Sequence, residues 1–163
     1  MKNDIKVRDP VCEMDVLEGA YKTTYMGSQY LFCSQQCLDR FKSNPKLYIG
    51  SPGKPSPKQM GKVLIKCRTI KLDRSIPAEI KVQIKLAFDE MMGIKNIEII
   101  QNEIRITYDL LEVTAEQIEQ SIITTKVNLS DDWISRIKTA FIHYVEETEL
   151  INLESDSNPH CHK

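Results

Sequence analysis

Three cysteines stand close together early in the chain. Twenty residues separate Cys12 from Cys33, and three separate Cys33 from Cys37. A soft metal ion needs thiolates converging within about 2.3 Å of one point. The run Tyr30-Leu-Phe-Cys33-Ser-Gln-Gln-Cys37 brings two sulfurs together if Cys33 ends a strand and Cys37 lies in the first turn of a helix. A helix N-terminus lowers a thiol pKa and so favours the bound thiolate. Cys12 follows the turn Asp9-Pro10-Val11 and reaches the same point from a knuckle across the hairpin. The competing reading is three buried structural cysteines.

Three thiolates complete a trigonal shell for copper(I) but leave a fourth position for zinc(II). Met14, two residues after Cys12, is a candidate soft ligand, set against its use as filler in a small core. The terminal His160-Cys161-His162 is a second candidate, with three ligand-type side chains in a row, set against a bystander tail. His143, Glu146 and Glu147 share one side of a helix at a spacing that could hold a harder metal. A full carboxylate site draws ligands from several helices, so a solvated acidic face is preferred for them. Cys67 falls in strand phase with Val63 and Ile65 and is expected in the core. Nothing resembles a nucleophile triad, a phosphate loop or a dinucleotide fingerprint, and the chain is not expected to be an enzyme.

The elements that must position these residues follow from local pattern. Residues 1–49 make a small module. Tyr21-Lys-Thr-Thr-Tyr25, the turn Met26-Gly27-Ser28 and Gln29-Tyr30-Leu31-Phe32 predict a β-hairpin over about residues 20–32. Ser34 is placed to cap a helix over 35–43 with Leu38 and Phe41 facing inward, and Asn44-Pro45 ends it. A module of this size has little core and usually needs a metal or disulfides. Residues 50–61 hold three prolines and three glycines, which predicts a partly stiff, extended linker and a domain boundary.

Residues 62–129 read as strand, helix, strand, strand, helix, strand. Val63, Ile65, Cys67 and Thr69 alternate along the first strand. Pro77 opens a helix whose inner face is Ile80, Ile84, Ala87, Phe88 and Met91, and Gly93 ends it. Ile94–Ile100 and Glu103–Tyr108 form strands joined at Gln101-Asn102. Thr114 caps the second helix, with Ile118, Ile122 and Ile123 inward. Residues 126–129 supply a last strand. The order is the split βαβ, ferredoxin-like βαββαβ pattern. Residues 130–154 make a long C-terminal helix, capped by Ser130. Its apolar stripe of Trp133, Ile134, Ile137, Phe141, Tyr144, Val145, Thr148 and Ile151 packs on the preceding domain, with a homodimer as the alternative. Residues 155–163 are a polar, flexible Cys/His tail.

Composition bounds the partners. Of 163 residues, 28% are charged and the net charge is −1, so no polyanion partner is implied. Residues 130–163 hold three basic and seven acidic groups, which argues against nucleic acid there. No apolar run approaches the roughly 18 residues of a membrane span, and the N-terminus lacks the apolar core of a signal peptide. A cytoplasmic location is therefore expected, where thiols stay reduced. Five cysteines, an odd number, also suit a disulfide framework poorly.

A resemblance sharpens the metal reading. Asp9-Pro10-Val11-Cys12-Glu13-Met14-Asp15-Val16, then Tyr25-Met26-Gly27-Ser28-Gln29-Tyr30-Leu31-Phe32-Cys33-Ser34-Gln35-Gln36-Cys37, then Phe41, Pro45 and Tyr48, resemble a YHS domain of the TRASH-type metal-binding modules over residues 9–49. The resemblance implies a treble-clef or zinc-ribbon-like fold and metal ligation by Cys12, Cys33 and Cys37. Family members occur in copper and heavy-metal exporters, chaperones and sensors, which implies a metal-transporting ATPase or another metal-handling protein as partner. Glu13 stands where the family commonly has glycine. Residues 62–129 resemble a heavy-metal-associated domain at Gly93-Ile94-Lys-Asn-Ile97 and at Tyr108-Asp-Leu-Leu-Glu-Val-Thr114-Ala-Glu-Gln-Ile118. That family binds metal through a Cys-x-x-Cys loop, but here the loop reads Lys71-Leu-Asp-Arg-Ser-Ile-Pro77, so its metal function does not carry over. The expected whole is an α+β protein that traffics or buffers copper(I), or failing that zinc(II), in the manner of a metallochaperone. The rivals are a structural zinc module in an interaction protein and a sensor acting through a partner.

Overall fold

Short strands and tight turns around one nine-residue helix make up the first part of the chain. The computed structural model describes residues 6–17, 19, 21–124, 130–140 and 153. The chain divides into two compact units, with the division between Val63 and Leu64.

In the first unit, β1 (Val7–Arg8) pairs antiparallel with β2 (Asp15–Val16), in the register Val7 to Val16 and Arg8 to Asp15. The intervening residues form a tight knuckle. β3 (Lys22–Tyr25) and β4 (Ser28–Leu31) make the expected hairpin. Its two-residue turn places both Met26 and Gly27 at positive φ, 50° and 78°, the turn whose twist suits a hairpin. α1 (Gln35–Ser43) begins at Ser34, whose hydroxyl accepts the Cys37 N–H at 3.3 Å. Asn44 ends it, and Pro45–Leu47 turn as a short 3-10 segment.

The core of this unit is aromatic. The buried Phe41 ring lies 5.1 Å from Phe32, 5.4 Å from Tyr30, 5.7 Å from Tyr25 and 6.0 Å from Tyr48, centroid to centroid. Such pairs add about 0.5–1.5 kcal/mol each beyond burial. Arg40 is buried against the face of Tyr48 and donates to Asn44.

Residues 50–61 do not run as an extended spacer. Ser51 bridges to Lys54, the Lys58 N–H bonds to the Leu47 carbonyl at 3.0 Å, and Ser56 and Lys58 are buried. Gln59 Oε1 accepts the N–H groups of Gly50 and Ser56. Gly50 permits this fold-back, since a Cβ there would meet the Lys54 carbonyl oxygen at 2.1 Å. Proline and glycine serve tight turns as well as spacers, and these contacts decide between the two.

The second unit runs β5 (Ile65–Lys71), α2 (Ala78–Asp89), β6 (Ile94–Ile100), β7 (Glu103–Asp109), α3 (Ala115–Thr124) and α4 (Asp131–Ala140). The sheet order is β5-β7-β6, with β7 antiparallel to both neighbours. β5 and β6 are thus parallel, linked through α2 and separated by β7, which is a split βαβ unit. The strand expected at 126–129 lies outside the described residues. Gly93, at φ 87°, precedes β6 where a Cβ would come within 2.7 Å of Glu112 Cβ. α2 has already stopped at Asp89, four residues before it.

Ile70, Ile104, Ile106 and Tyr108 from the sheet are buried together with Ile84, Ala87, Phe88, Ile118 and Ile122 from α2 and α3. The side chain of Ile123 lies outside those described. Thr114 and Gln117 cap α3 reciprocally, the Gln117 N–H to Thr114 Oγ1 at 3.2 Å and the Thr114 N–H to Gln117 Oε1 at 3.1 Å. α4 lies against α3 and β5 and buries Trp133 and Ile137, as its stripe predicted. The expected extension of this helix beyond residue 140 lies outside the described residues. The architecture is α+β.

An expectation about β5 is overturned as well. Cys67 is exposed, not core, and Ile65 is half exposed on the same phase of β5. The inward phase of β5 is instead Lys66, Arg68 and Ile70, opposite Tyr108, Ile106 and Ile104. Long aliphatic stems let Lys and Arg cover apolar neighbours while their charged heads stay in water, so the polar residues take the core side.

Candidate metal centre

Three short elements deliver the site. The knuckle between β1 and β2 carries Cys12, the end of the β3–β4 hairpin carries Cys33, and the first turn of α1 carries Cys37. The Cys12 and Cys33 sulfurs lie 3.4 Å apart, and those of Cys33 and Cys37 3.6 Å apart. Cys37 is fully buried, while Cys12 and Cys33 are partly exposed. The structure therefore brings the three cysteines together. With Asp9 they form one group whose donor atoms all lie within 4.8 Å of one another.

The knuckle is built around Asp9. Its side chain is fully buried. Oδ1 accepts the N–H of Val11 at 2.7 Å and of Cys12 at 3.4 Å, and Oδ2 accepts the N–H of Cys33 at 2.8 Å. The Asp9 N–H bonds to the Met14 carbonyl, and the Glu13 N–H to the Asp9 carbonyl, both at 2.9 Å. Glu13 closes the turn at φ 64°, the left-handed region that favours glycine. Sequence reasoning placed Asp9 in a turn and missed its part in the site. The available signal was a carboxylate just before a cysteine knuckle, where unpaired backbone N–H groups collect.

The three thiols are unequal. Cys12 is lowered from the ordinary thiol value, first because the Cys37 thiol donates to it, with the Met14 N–H and the Cys33 thiol helping against burial and the Asp9 charge. Cys33 is pushed up to about 11, chiefly by burial. Cys37 is pushed well above the thiol range, first because its proton is held toward Cys12, then by burial and by the neighbouring negative charges. Of the three, Cys12 is thus the thiol most readily ionised. A cation at the centre would supply the charge that the second and third ionisations need. Sulfurs 2.3 Å from a common ion stand roughly 3.8–4.0 Å apart in tetrahedral or trigonal arrangement, so the Cys12–Cys33 and Cys33–Cys37 pairs, at 3.4 and 3.6 Å, need to open by only a few tenths of an ångström.

Met14 is half exposed, and its visible contribution is through its backbone. His160, Cys161 and His162, and likewise His143, Glu146 and Glu147, lie outside the described residues. Among the described residues no helix is long and apolar enough to cross a membrane.

Comparison with known proteins agrees with this geometry in one region. No curated protein and no solved structure matches the chain. The expected likeness of residues 62–129 to a heavy-metal-associated domain gains no support from the comparisons. Residues 7–51 match the family model of the YHS domain, and the group they contain, Asp9, Cys12, Cys33 and Cys37, fits a metal-binding module.

Proposed function

We propose that the module takes up a soft metal ion, copper(I) first and zinc(II) second, and that the protein buffers it or delivers it to a metal-transporting ATPase or another metal-handling protein in the cytoplasm. The observation that carries this reading is the convergence of three sulfurs beside a carboxylate whose two oxygens already accept backbone N–H groups. A three-sulfur shell suits trigonal copper(I), whereas zinc(II) would need a fourth donor from Met14, the Cys/His tail, water or a partner. The partial exposure of Cys12 and Cys33 gives an incoming thiolate a route for stepwise ligand exchange.

Competition titrations with copper(I) and with zinc(II), in reducing anaerobic buffer, test the reading. Cys12→Ser, Cys33→Ser and Cys37→Ser should each weaken binding. Wild-type affinity for both ions in all three variants would sink it.

The second reading is a structural zinc module, favoured by the two-residue length of β1 and β2. Chelation separates the two. The trafficking reading expects the aromatic near-UV signal of the Phe41 cluster to survive metal removal, and the structural reading expects it to collapse.

A further inference from the structure

Asp9 is fully buried beside the sulfurs, yet nothing about thiolate binding requires a carboxylate there. A carboxylate near three thiols opposes their ionisation, so its presence calls for a compensating role. The hydrogen bonds show one. Each oxygen faces N–H donors, Oδ1 those of Val11 and Cys12, and Oδ2 that of Cys33. Both oxygens of the side chain thus act as acceptors, and hydrogen bonds from N–H groups to a carboxylate are the strong kind. The link to Cys33 spans 24 positions of sequence and joins two segments that share no strand pairing among the described residues.

We propose that Asp9 is the positioning residue of the metal centre: its carboxylate ties the Cys12 knuckle to the Cys33 backbone and so fixes the spacing of two sulfurs without ligating the ion itself. The proposal rests on the reading that Cys12, Cys33 and Cys37 bind metal. It also explains why an aspartate is needed. Asparagine offers one acceptor oxygen and one NH2 group. Oriented to keep the Val11 and Cys12 bonds, its NH2 would face the Cys33 N–H, donor against donor. Glutamate, one methylene longer, would overreach all three. The segment released in the asparagine variant is therefore the one carrying Cys33.

The test uses the full chain, reduced and anaerobic, with Co(II) as probe, because thiolate-to-cobalt absorption grows with the number of thiolates bound. Asp9→Asn should lose one thiolate's share of that absorption and weaken binding about 10- to 100-fold, the usual effect of removing an orienting partner. Adding Cys33→Ser to Asp9→Asn should cost little more than Cys33→Ser alone, whereas Asp9→Asn and Cys37→Ser should cost the product of their separate effects. Wild-type absorption and affinity in Asp9→Asn would overturn the proposal. So would absorption of three thiolates with shifted ligand-field bands, which would make Asp9 a ligand.

A measurement on the wild type guards against an Asp9→Asn chain that does not fold. The Cys33 amide should resist hydrogen exchange both with and without Zn(II). Rapid exchange in either state overturns the proposal whatever the variant does. A wild type that binds Co(II) with no thiolate absorption would instead defeat the metal reading, and the Cys33 amide would report on the tie independently.

Discussion

The sulfurs of Cys12 and Cys33 stand 3.4 Å apart although the residues lie 21 positions apart in the chain. Neither sits on a long element. One belongs to a knuckle and the other to a hairpin end, and the Asp9 carboxylate, which accepts the Cys33 N–H at 2.8 Å, joins the two segments. Spacing of this kind crowds ionisable groups, and crowding has consequences that pH can read.

The metal-free module should lose stability in alkali. Cys33 is pushed up to about 11 in the fold, first by burial, while an unfolded thiol ionises near the ordinary 9.0. The unfolded chain therefore gives up this proton first as pH rises. Stability falls from the unfolded value upward and levels off once the folded thiol has ionised. Cys37 shifts the same way, first through its hydrogen bond to Cys12. Cys12 shifts the other way, so its contribution is present above 9.0 and is lost as pH falls through its folded value. Urea midpoints between pH 8 and pH 11, in reductant and chelator, should decline, and Cys33→Ser should flatten the decline. A midpoint that rises over this range contradicts the arrangement.

Replacing Glu13 by glycine should stabilise the protein. Glu13 occupies φ 64°, and its contacts in the turn are made by backbone atoms, its N–H to Asp9 and its carbonyl to Arg8 Nε at 2.9 Å. Glycine keeps both bonds and removes the left-handed strain, less the extra entropy it gives the unfolded chain. The net gain should be about 0.5–1 kcal/mol, read as a higher denaturant midpoint of the first unit. A loss of stability would show that the side chain contributes something its geometry does not reveal.

These two sites mark how far the sequence could be read. The Cys33-x3-Cys37 pair was legible because Ser34 caps the very turn that holds Cys37, a relationship closed within four residues. The hairpin and α1 were legible for the same reason. Asp9 was not, because its decisive partner lies 24 positions away. The fold-back of residues 50–61 was hidden because composition codes for turns and spacers alike, and only contacts such as Lys58 to Leu47 separate them. In β5 the apolar alternation pointed the wrong way, because the pairing with Ile104, Ile106 and Tyr108 outranks the strand's own pattern.

In the second unit, acid should act through Arg136. Its guanidinium binds Asp132 at 3.0 Å and also pairs with Asp73, while Arg74 stands 3.9 Å from Asp132. The hydrogen bond from Arg136 holds both carboxyls below the ordinary 3.8. Their stabilisation is present above that value and is lost as pH falls through the lowered folded values. These groups lie at the surface, so salt should weaken the effect. Carboxyl NMR titration should find both values depressed in the wild type and returned toward the ordinary range in Arg136→Gln. Unchanged titrations in the variant would remove Arg136 as the cause.

Thiol labelling should separate Cys67 from the metal cluster. Cys67 is exposed on the same side of β5 as Ile65, so a maleimide can reach it without any opening of the sheet. Cys37 is fully buried, and Cys12 and Cys33 lose their free thiolate character once they hold an ion. In Zn(II)-loaded protein, peptide mapping should find Cys67 labelled and Cys12, Cys33 and Cys37 protected. Adding a chelator should expose Cys12 before Cys37, because Cys12 is both the more accessible and the more readily ionised thiol. Resistance of Cys67 until the protein is denatured would mean that β5 turns its Cys67 phase inward, and the pairing that places Lys66 and Arg68 beside Tyr108 and Ile106 would then be wrong.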